Sequence, residues 1–368
     1  MRYPRRMPNE SLPAPVLPAV FADWFASRGW ALHPHQRAML AAARAGHSTL
    51  LIAPTGGGKT LAGFLPSLVE LAGQAADTGG LHTLYISPLK ALAVDIHRNL
   101  LTPIAEMNLP ISAETRTGDT PAHKRQRQRI SPPNILLTTP ESLALLMTYA
   151  DAPRLFGRLR CVVIDELHAL AGTKRGDQLA LCLARLAWLS PDCRRVGLSA
   201  TVAWPEALSA WLGSGGTPVK LIQAGGGRRA EVRIHEATGE LPWSGHMGYR
   251  EAPAIYQEIR RAGVTIVFVN TRAQAEIIFQ ELWRVNDENL PIALHHGSLA
   301  AEQRRKVEAA MAAGVLRAVV ATASLDLGID WADVDLVIQI GAPKGASRMI
   351  QRIGRAGHRL DTPSRALL

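Results

Sequence analysis

Cysteine is scarce in this chain: Cys161, Cys182 and Cys193 are the only three in 368 residues. An odd number without paired ligand spacing argues against a disulfide framework and a cysteine-held metal. All three are therefore expected as buried, reduced thiols. Long apolar runs are also missing, none approaching the roughly 18 residues a membrane helix needs. Met1 to Pro18 carries arginines and prolines where a signal peptide would carry an apolar core, so a cytoplasmic protein is expected. Acidic residues are the minority, 31 Asp plus Glu against 41 Lys plus Arg, which leaves a net charge of +10. Such a balance suits a polyanionic partner without identifying one. Nor does any stretch of the first half recur in the second.

Apolar residues are abundant, at 47% with 20% charged, the balance of a folded chain with a large core. The length suggests two domains. After a Pro-rich arm, residues 1–18, expected to be mobile, short runs of Val, Ile and Leu alternate with amphipathic stretches of helical length. This is the signature of β-α units around a parallel sheet. Strands are predicted at Ser48–Ile52, Thr83–Ser87, Ile111–Thr115, Ile135–Thr139, Cys161–Ile164 and Val196–Ser199. The Gly-rich "QAGGGRR", Gln223 to Arg229, breaks the rhythm and reads as a domain joint. Strands resume at Val264–Val269, Ile292–Leu294, Leu316–Ala321 and Leu336–Ile340, and the terminal "RALL" reads as a last one. The expected architecture is α/β, with a first domain at 19–224 and a second at 225–368, each a mainly parallel sheet flanked by helices.

"APTGGGKT", Ala53 to Thr60, sits between the first strand and a helix, and fits the phosphate-loop pattern except that Ala53 replaces its first glycine. Gly56, Gly57 and Gly58 let backbone N–H groups approach phosphate oxygens. Lys59 supplies a cation to the β and γ phosphates and Thr60 a hydroxyl to Mg²⁺, while the helix N-terminus adds its partial charge. Ala53 is tolerable there if its φ stays negative. "CVVIDELH" ends an apolar strand in two carboxylates, at the strand end where parallel sheets bind ligands. Asp165 is expected to hold Mg²⁺ through water and Glu166 to orient or deprotonate the attacking water. ATP and Mg²⁺ are thus the expected cofactors.

With these two motifs on the page, the chain resembles a superfamily 2 DEXH-box helicase, a fold of two RecA-like domains with an ATP cleft between them. "HPHQ" is similar to the adenine-reading Q motif, with Gln36 on the base edge. "SPLKAL", "RTGDT" and "TTPESL" resemble strand-tracking motifs, which implies nucleic-acid contacts at Pro88, Lys90, Arg116, Thr117, Gly118, Asp119 and Thr139. "LSAT" resembles the motif that couples hydrolysis to movement, through Ser199 and Thr201. In the second half "VFVNTR", "ATASLDLGID" and "QRIGRAGHR" look like motifs IV, V and VI, adding strand contacts at Arg272 and Thr322 and a coupling residue at Gln351. The resemblance further implies nucleotide contacts at Thr55, Gly328 and Asp330. His168 is expected to bridge the lobes or the coupling motif.

Longer stretches, "TLYISPLKALAVDI" and "DELHALAGTKRGDQL" among them, are similar to the large-helicase-related (Lhr) group, in particular the helicases encoded beside an ATP-dependent DNA ligase. That implies 3′ to 5′ movement on single-stranded DNA, unwinding of DNA or RNA–DNA duplexes, and repair partners such as a ligase or nuclease. In motif VI, His358 takes the place of the usual last arginine, so Arg355 is the first arginine-finger candidate and Arg352 the second. Relatives of this group continue into a winged helix and a helical domain, and the chain reads as a motor core cut from a longer protein. Alternatives are an RNA-remodelling ATPase and a non-catalytic nucleic-acid binder. The basic stretch His123 to Arg129 is read as a solvated helix face or a duplex contact. His295 and His296 are read as structural, and Trp30, Trp188, Trp204, Trp211, Trp243 and Trp331 as core or interface.

Overall fold

The structure, a computed structural model, describes residues 17–54, 57–73, 79–88, 97–200, 202, 204–213, 216, 218–224, 230–236, 248–326, 334–343, 345–356 and 363–368. Two sheets organise them, and every strand pairing is parallel. The first has seven strands: β1 (Ser48–Ile52), β2 (Thr83–Ile86), β3 (Ala113–Arg116), β4 (Ile135–Thr138), β5 (Cys161–Ile164), β6 (Arg194–Ser199) and β7 (Val219–Gln223), in the order β3-β4-β2-β5-β6-β1-β7. In the second, β8 (Glu231–Arg233), β9 (Val264–Phe268), β10 (Ile292–His295), β11 (Ala318–Ala321), β12 (Val334–Gln339) and β13 (Arg365–Leu367) take the order β10-β11-β9-β12-β13-β8.

Successive side chains of a strand point to opposite faces, and here both faces are buried. Leu51, Tyr85, Leu137, Val163 and Leu198 line one face of the first sheet. Leu50, Leu84, Leu136 and Val162, one residue back in each strand, line the other. Helices cover both sides, as crossover connections require. This double burial is why these strands read as unbroken apolar runs instead of alternating ones. The second sheet repeats the scheme, with Val267, Val320 and Ile338 on one face and Ile266, Val319 and Val337 on the other.

One close approach fixes the site. A Cβ at Gly63 would lie 2.7 Å from Leu198 Cδ1, so glycine lets the Lys59–Ala72 helix settle onto β6 and carry its first turn to the sheet's C-terminal edge. Three sequence expectations change. Strands β7 and β8 were not anticipated: both are short edge strands with mostly exposed or half-buried side chains. Of the tryptophans read as core or interface, Trp30, Trp188 and Trp204 stand exposed, outside the core, while Trp211 packs partly buried against it; Trp243 and Trp331 lie outside the described residues. Cys161 and Cys182 are buried and Cys193 partly so, all three free. No described helix is long and apolar enough to cross a membrane.

Candidate active site

At the end of β1 the Ala53 N–H donates to the Ser199 carbonyl at the end of β6, 3.1 Å away. Among the described non-glycine residues only Asn108, Glu166 and Asn289 have positive φ. Ala53 therefore meets the condition under which it can replace glycine, and it is buried. Gly57 N then donates to Pro54 O at 3.1 Å, and Gly58 turns through φ 67°, ψ 24°, a conformation that costs glycine little. Lys59 and Thr60 open the helix behind it. Thr55 and Gly56 lie outside the described residues.

Lys59 is buried, with Nζ 3.3 Å from Glu166 Oε1. Asp165, 4% exposed, has both carboxylate oxygens engaged: Oδ1 accepts from the Glu166 N–H at 2.9 Å and Oδ2 from the Tyr85 hydroxyl at 2.6 Å. Burial first, and then the neighbouring Glu166 charge, push the Asp165 carboxyl up from its ordinary value. Burial also acts to raise Glu166, but Lys59, His168 and Arg355 outweigh it and hold that carboxyl below the usual range. The two adjacent carboxyls are thus shifted in opposite directions. Glu166 sits in the left-handed region, φ 48° and ψ 43°, which aims its side chain back across the strand ends at the lysine.

His168 is the next link. Its Nε2 lies 3.4 Å from Glu166 Oε2 and its Nδ1 3.2 Å from Ser199 Oγ. Burial lowers its pKa despite Glu166, and Gln351 of the second lobe acts on the ring in the opposite sense to burial. Arg355, also from that lobe, is 5% exposed, donates through Nη2 to the Asp326 carbonyl at 2.7 Å, and acts electrostatically on Glu166. Five residues from two sheets thereby converge: Lys59, Glu166 and His168 from one, Gln351 and Arg355 from the other. Thr201, Gly328, Asp330, His358 and Arg359 lie outside the described residues.

Arg352 is placed differently from the finger position proposed for it. It is 1% exposed, donates from Nε to Asp326 Oδ1 and from Nη1 to Gln339 Oε1, both at 2.7 Å, and lies 4.6 Å over the Phe268 ring. Every one of those partners belongs to the second lobe, so its charge is consumed there. Gln36 is buried beside the phosphate loop: Oε1 accepts from the His33 N–H at 3.0 Å, and a Cβ at Gly58 would lie 3.1 Å from its Nε2. Sequence reasoning passed over His35, which is buried, hydrogen-bonded to the Gly57 backbone, and stacked with His33 at 5.3 Å between centroids. It stood in the quoted "HPHQ", but only tertiary structure brings it to the loop.

The loops expected to hold a strand emerge from the same edge of the sheet. Arg116 is turned inward, 4% exposed, with Nη1 donating to the Arg125 carbonyl at 2.6 Å. The turn that follows presents Gly118 and Asp119 to solvent and is closed by Thr117 N donating to Thr120 Oγ1 at 2.9 Å. Thr139 caps the Pro140–Thr148 helix, its Oγ1 accepting from Ser142 N at 3.3 Å. Pro88 is buried and its carbonyl accepts from Arg175 Nη2 at 2.9 Å, while the same guanidinium donates to Glu141. Arg175 lay in a stretch quoted for its resemblance and received no role; its two partners are distant in sequence. Lys90 lies outside the described residues.

In the second lobe Arg272 is exposed and paired with Glu276 at 3.0 Å. Thr322 follows β11, and its neighbour Ser324 is held by His295, whose Nδ1 is 2.8 Å from Ser324 Oγ and whose Nε2 is 3.1 Å from Glu308. The basic Ala122–Ile130 helix is tied to its own lobe, Arg127 and Lys124 by Glu114, Arg129 by Asp151.

Residues 33–208 match the DEAD/DEAH box helicase family and residues 251–359 the helicase conserved C-terminal domain. The Lhr helicase/uracil glycosylase of Escherichia coli is 39% identical over 96% of this chain and 27% of its own length. The ATP-dependent helicase Lhr-Core protein 2 of Thermococcus barophilus is 37% identical over 94% of this chain and 42% of its own. A solved structure, Mycobacterium smegmatis helicase Lhr bound to ssDNA and AMP-PNP, superposes with a TM-score of 0.81 at 39% identity, covering 96% of this chain and 47% of that one. The chain thus spans less than half the length of each of these three relatives. With both domains matched on two parallel sheets, the chain carries the DEAD/DEAH box helicase domain and the helicase conserved C-terminal domain, and it is similar to the Lhr helicases.

Proposed function

We propose that this chain is the motor of an ATP-dependent helicase that moves along single-stranded DNA. The observation that carries the reading is the meeting of Lys59 and Glu166 with Arg355 from the opposite lobe. A group supplied across a cleft ties hydrolysis to closure, and closure is what a motor must make conditional. Lys59 would neutralise phosphate charge, Gln36 would read the adenine edge, and Arg355 would meet the charge that develops on the γ-phosphate. Glu166, ionised and facing the cleft, would orient the attacking water and take its proton.

The donor set suits Mg²⁺, since Thr60, Asp165 and Glu166 offer hard oxygens. Thr60 and Asp165 would hold the ion, which supplies charge neutralisation at the phosphates. His168 links Glu166 to Ser199 and Gln351, so the nucleotide state reaches both lobes through one ring. Strand grip would come from the turn at Thr117 to Asp119, the cap at Thr139, and Arg272 and Thr322 opposite, mostly on phosphates. Polarity 3′ to 5′ and a role in DNA repair beside a ligase or nuclease are what the sequence resemblance implies.

The test is steady-state ATP hydrolysis with and without single-stranded DNA, with RNA as comparison. Stimulation by DNA is expected. Lys59→Ala and Glu166→Gln are each expected to abolish turnover while sparing strand binding; an active Glu166→Gln protein would refute the assignment. Displacement from 3′-tailed but not 5′-tailed duplexes tests the polarity.

A further inference from the structure

The geometry points to Tyr85 as a further positioning residue of the nucleotide site, one whose hydroxyl sets the orientation of the Asp165 carboxylate for metal binding. This rests on the function proposed above. Tyr85 lies in β2, next to β5, in register with Val163. Side chains two apart on a strand share a face, so Asp165, just past the end of β5, emerges on the side where the Tyr85 ring stands. Its hydroxyl donates to Asp165 Oδ2 at 2.6 Å, while the Glu166 N–H holds Oδ1 at 2.9 Å. With one donor on each oxygen the carboxylate plane cannot rotate freely.

The ring itself is fixed. Tyr85 is fully buried and stacks on Phe64, 4.6 Å between centroids and 20° between planes. Phe64 belongs to the helix that Lys59 and Thr60 open. A rigid connection therefore runs from the phosphate-loop helix through Phe64 and Tyr85 to Asp165, setting the two expected metal-holding residues, Thr60 and Asp165, at a constant separation. Leucine or phenylalanine would satisfy the packing of a buried strand, and a buried hydroxyl is costly unless it is hydrogen-bonded. The tyrosine is thus explained by the carboxylate it reaches. Groups that orient a metal ligand typically contribute about 10- to 100-fold in metal affinity.

Tyr85→Phe keeps the ring and its stack and deletes only the hydroxyl. The probe is AMP-PNP, its binding measured by calorimetry with and without Mn²⁺, alongside electron paramagnetic resonance of the bound Mn²⁺. The variant is expected to weaken Mn²⁺-dependent binding about tenfold and leave metal-free AMP-PNP affinity and strand affinity unchanged. The Mg²⁺ concentration for half-maximal hydrolysis should rise by a similar factor. In an Asp165→Asn background the same change should have no further effect on Mn²⁺ binding. Equal weakening with and without metal, or none, overturns the assignment. Failure of the unmodified chain to bind AMP-PNP at all would instead sink the proposed function.

Discussion

Arg352 grips Asp326 inside the second lobe: Nε donates to Oδ1 at 2.7 Å from a side chain that solvent barely reaches. Removing one partner of a buried pair strands the other, at a cost of about 3–5 kcal/mol. Arg352→Ala is accordingly expected to lower unfolding stability by that amount in urea titration. Arg348, 3.2 Å from the same carboxylate, keeps the loss toward the lower figure. Arg355→Gln is expected to show the opposite balance, with turnover down by about 10³-fold or more and a smaller loss of stability. Equal stability losses from the two would show that both arginines are structural.

The His168 ring contacts Ser199 of its own lobe and feels Gln351 of the other. Gln351→Ala is expected to reduce strand-stimulated hydrolysis about tenfold while unstimulated hydrolysis changes little. In a cycle with His168→Ala the two losses should be non-additive, with a coupling of roughly 0.5–3 kcal/mol. Strictly additive effects would mean that the link carries no signal.

Arg175 clasps Glu141 and the Pro88 carbonyl at once. Exposed ion pairs contribute little, about 0–1 kcal/mol, so the effect of losing this one should be small and local to the grip. Arg175→Ala should raise the DNA concentration for half-maximal stimulation up to about fivefold with the maximal rate unaltered. Arg175→Lys should restore only part, because an ammonium cannot make the forked contact. A lowered maximal rate would place Arg175 elsewhere in the cycle.

Acid should destabilise the fold through His82. Burial first, then Arg194 and Arg160, lower its pKa to about 4; Glu70, 3.4 Å away, is more closely engaged by Arg194 at 2.6 Å. An unfolded histidine takes up its proton near 6.5, so between that value and about 4 the unfolded chain binds more protons. Stability from the neutral ring is complete above pH 6.5 and falls as pH drops toward 4, by roughly 3 kcal/mol in all. His82→Gln is expected to flatten the thermal midpoint against pH across this window. An unchanged slope would assign the acid sensitivity to other groups.

Much of this fold could be read from the sequence because parallel strands buried on both faces leave a composition signal. Ser48–Ile52 and Cys161–Ile164 were delimited to the residue. Strands β7 and β8 left no such trace, being edge strands with side chains such as Lys220, Glu231 and Arg233 in solvent. For the site, residues in contiguous motifs were legible: Lys59 and Glu166 face one another as their motifs implied. What stayed hidden were contacts between motifs. Arg352 lies on the last helix and turns inward, whereas Arg355 follows that helix's end and acts on Glu166 of the other lobe, a difference that "QRIGRAGHR" does not display. Tyr85, His35 and Arg175 were likewise invisible, each defined by a partner at least 22 residues away.

The left-handed backbone at Glu166 has one last implication. A residue with a Cβ is strained there by roughly 1 kcal/mol, and glycine would relieve it. The same change would leave the buried Lys59 without its carboxylate, a loss of about 3–5 kcal/mol that outweighs the relief. One side chain thus settles two debts, holding a bent backbone in place and a submerged cation quiet.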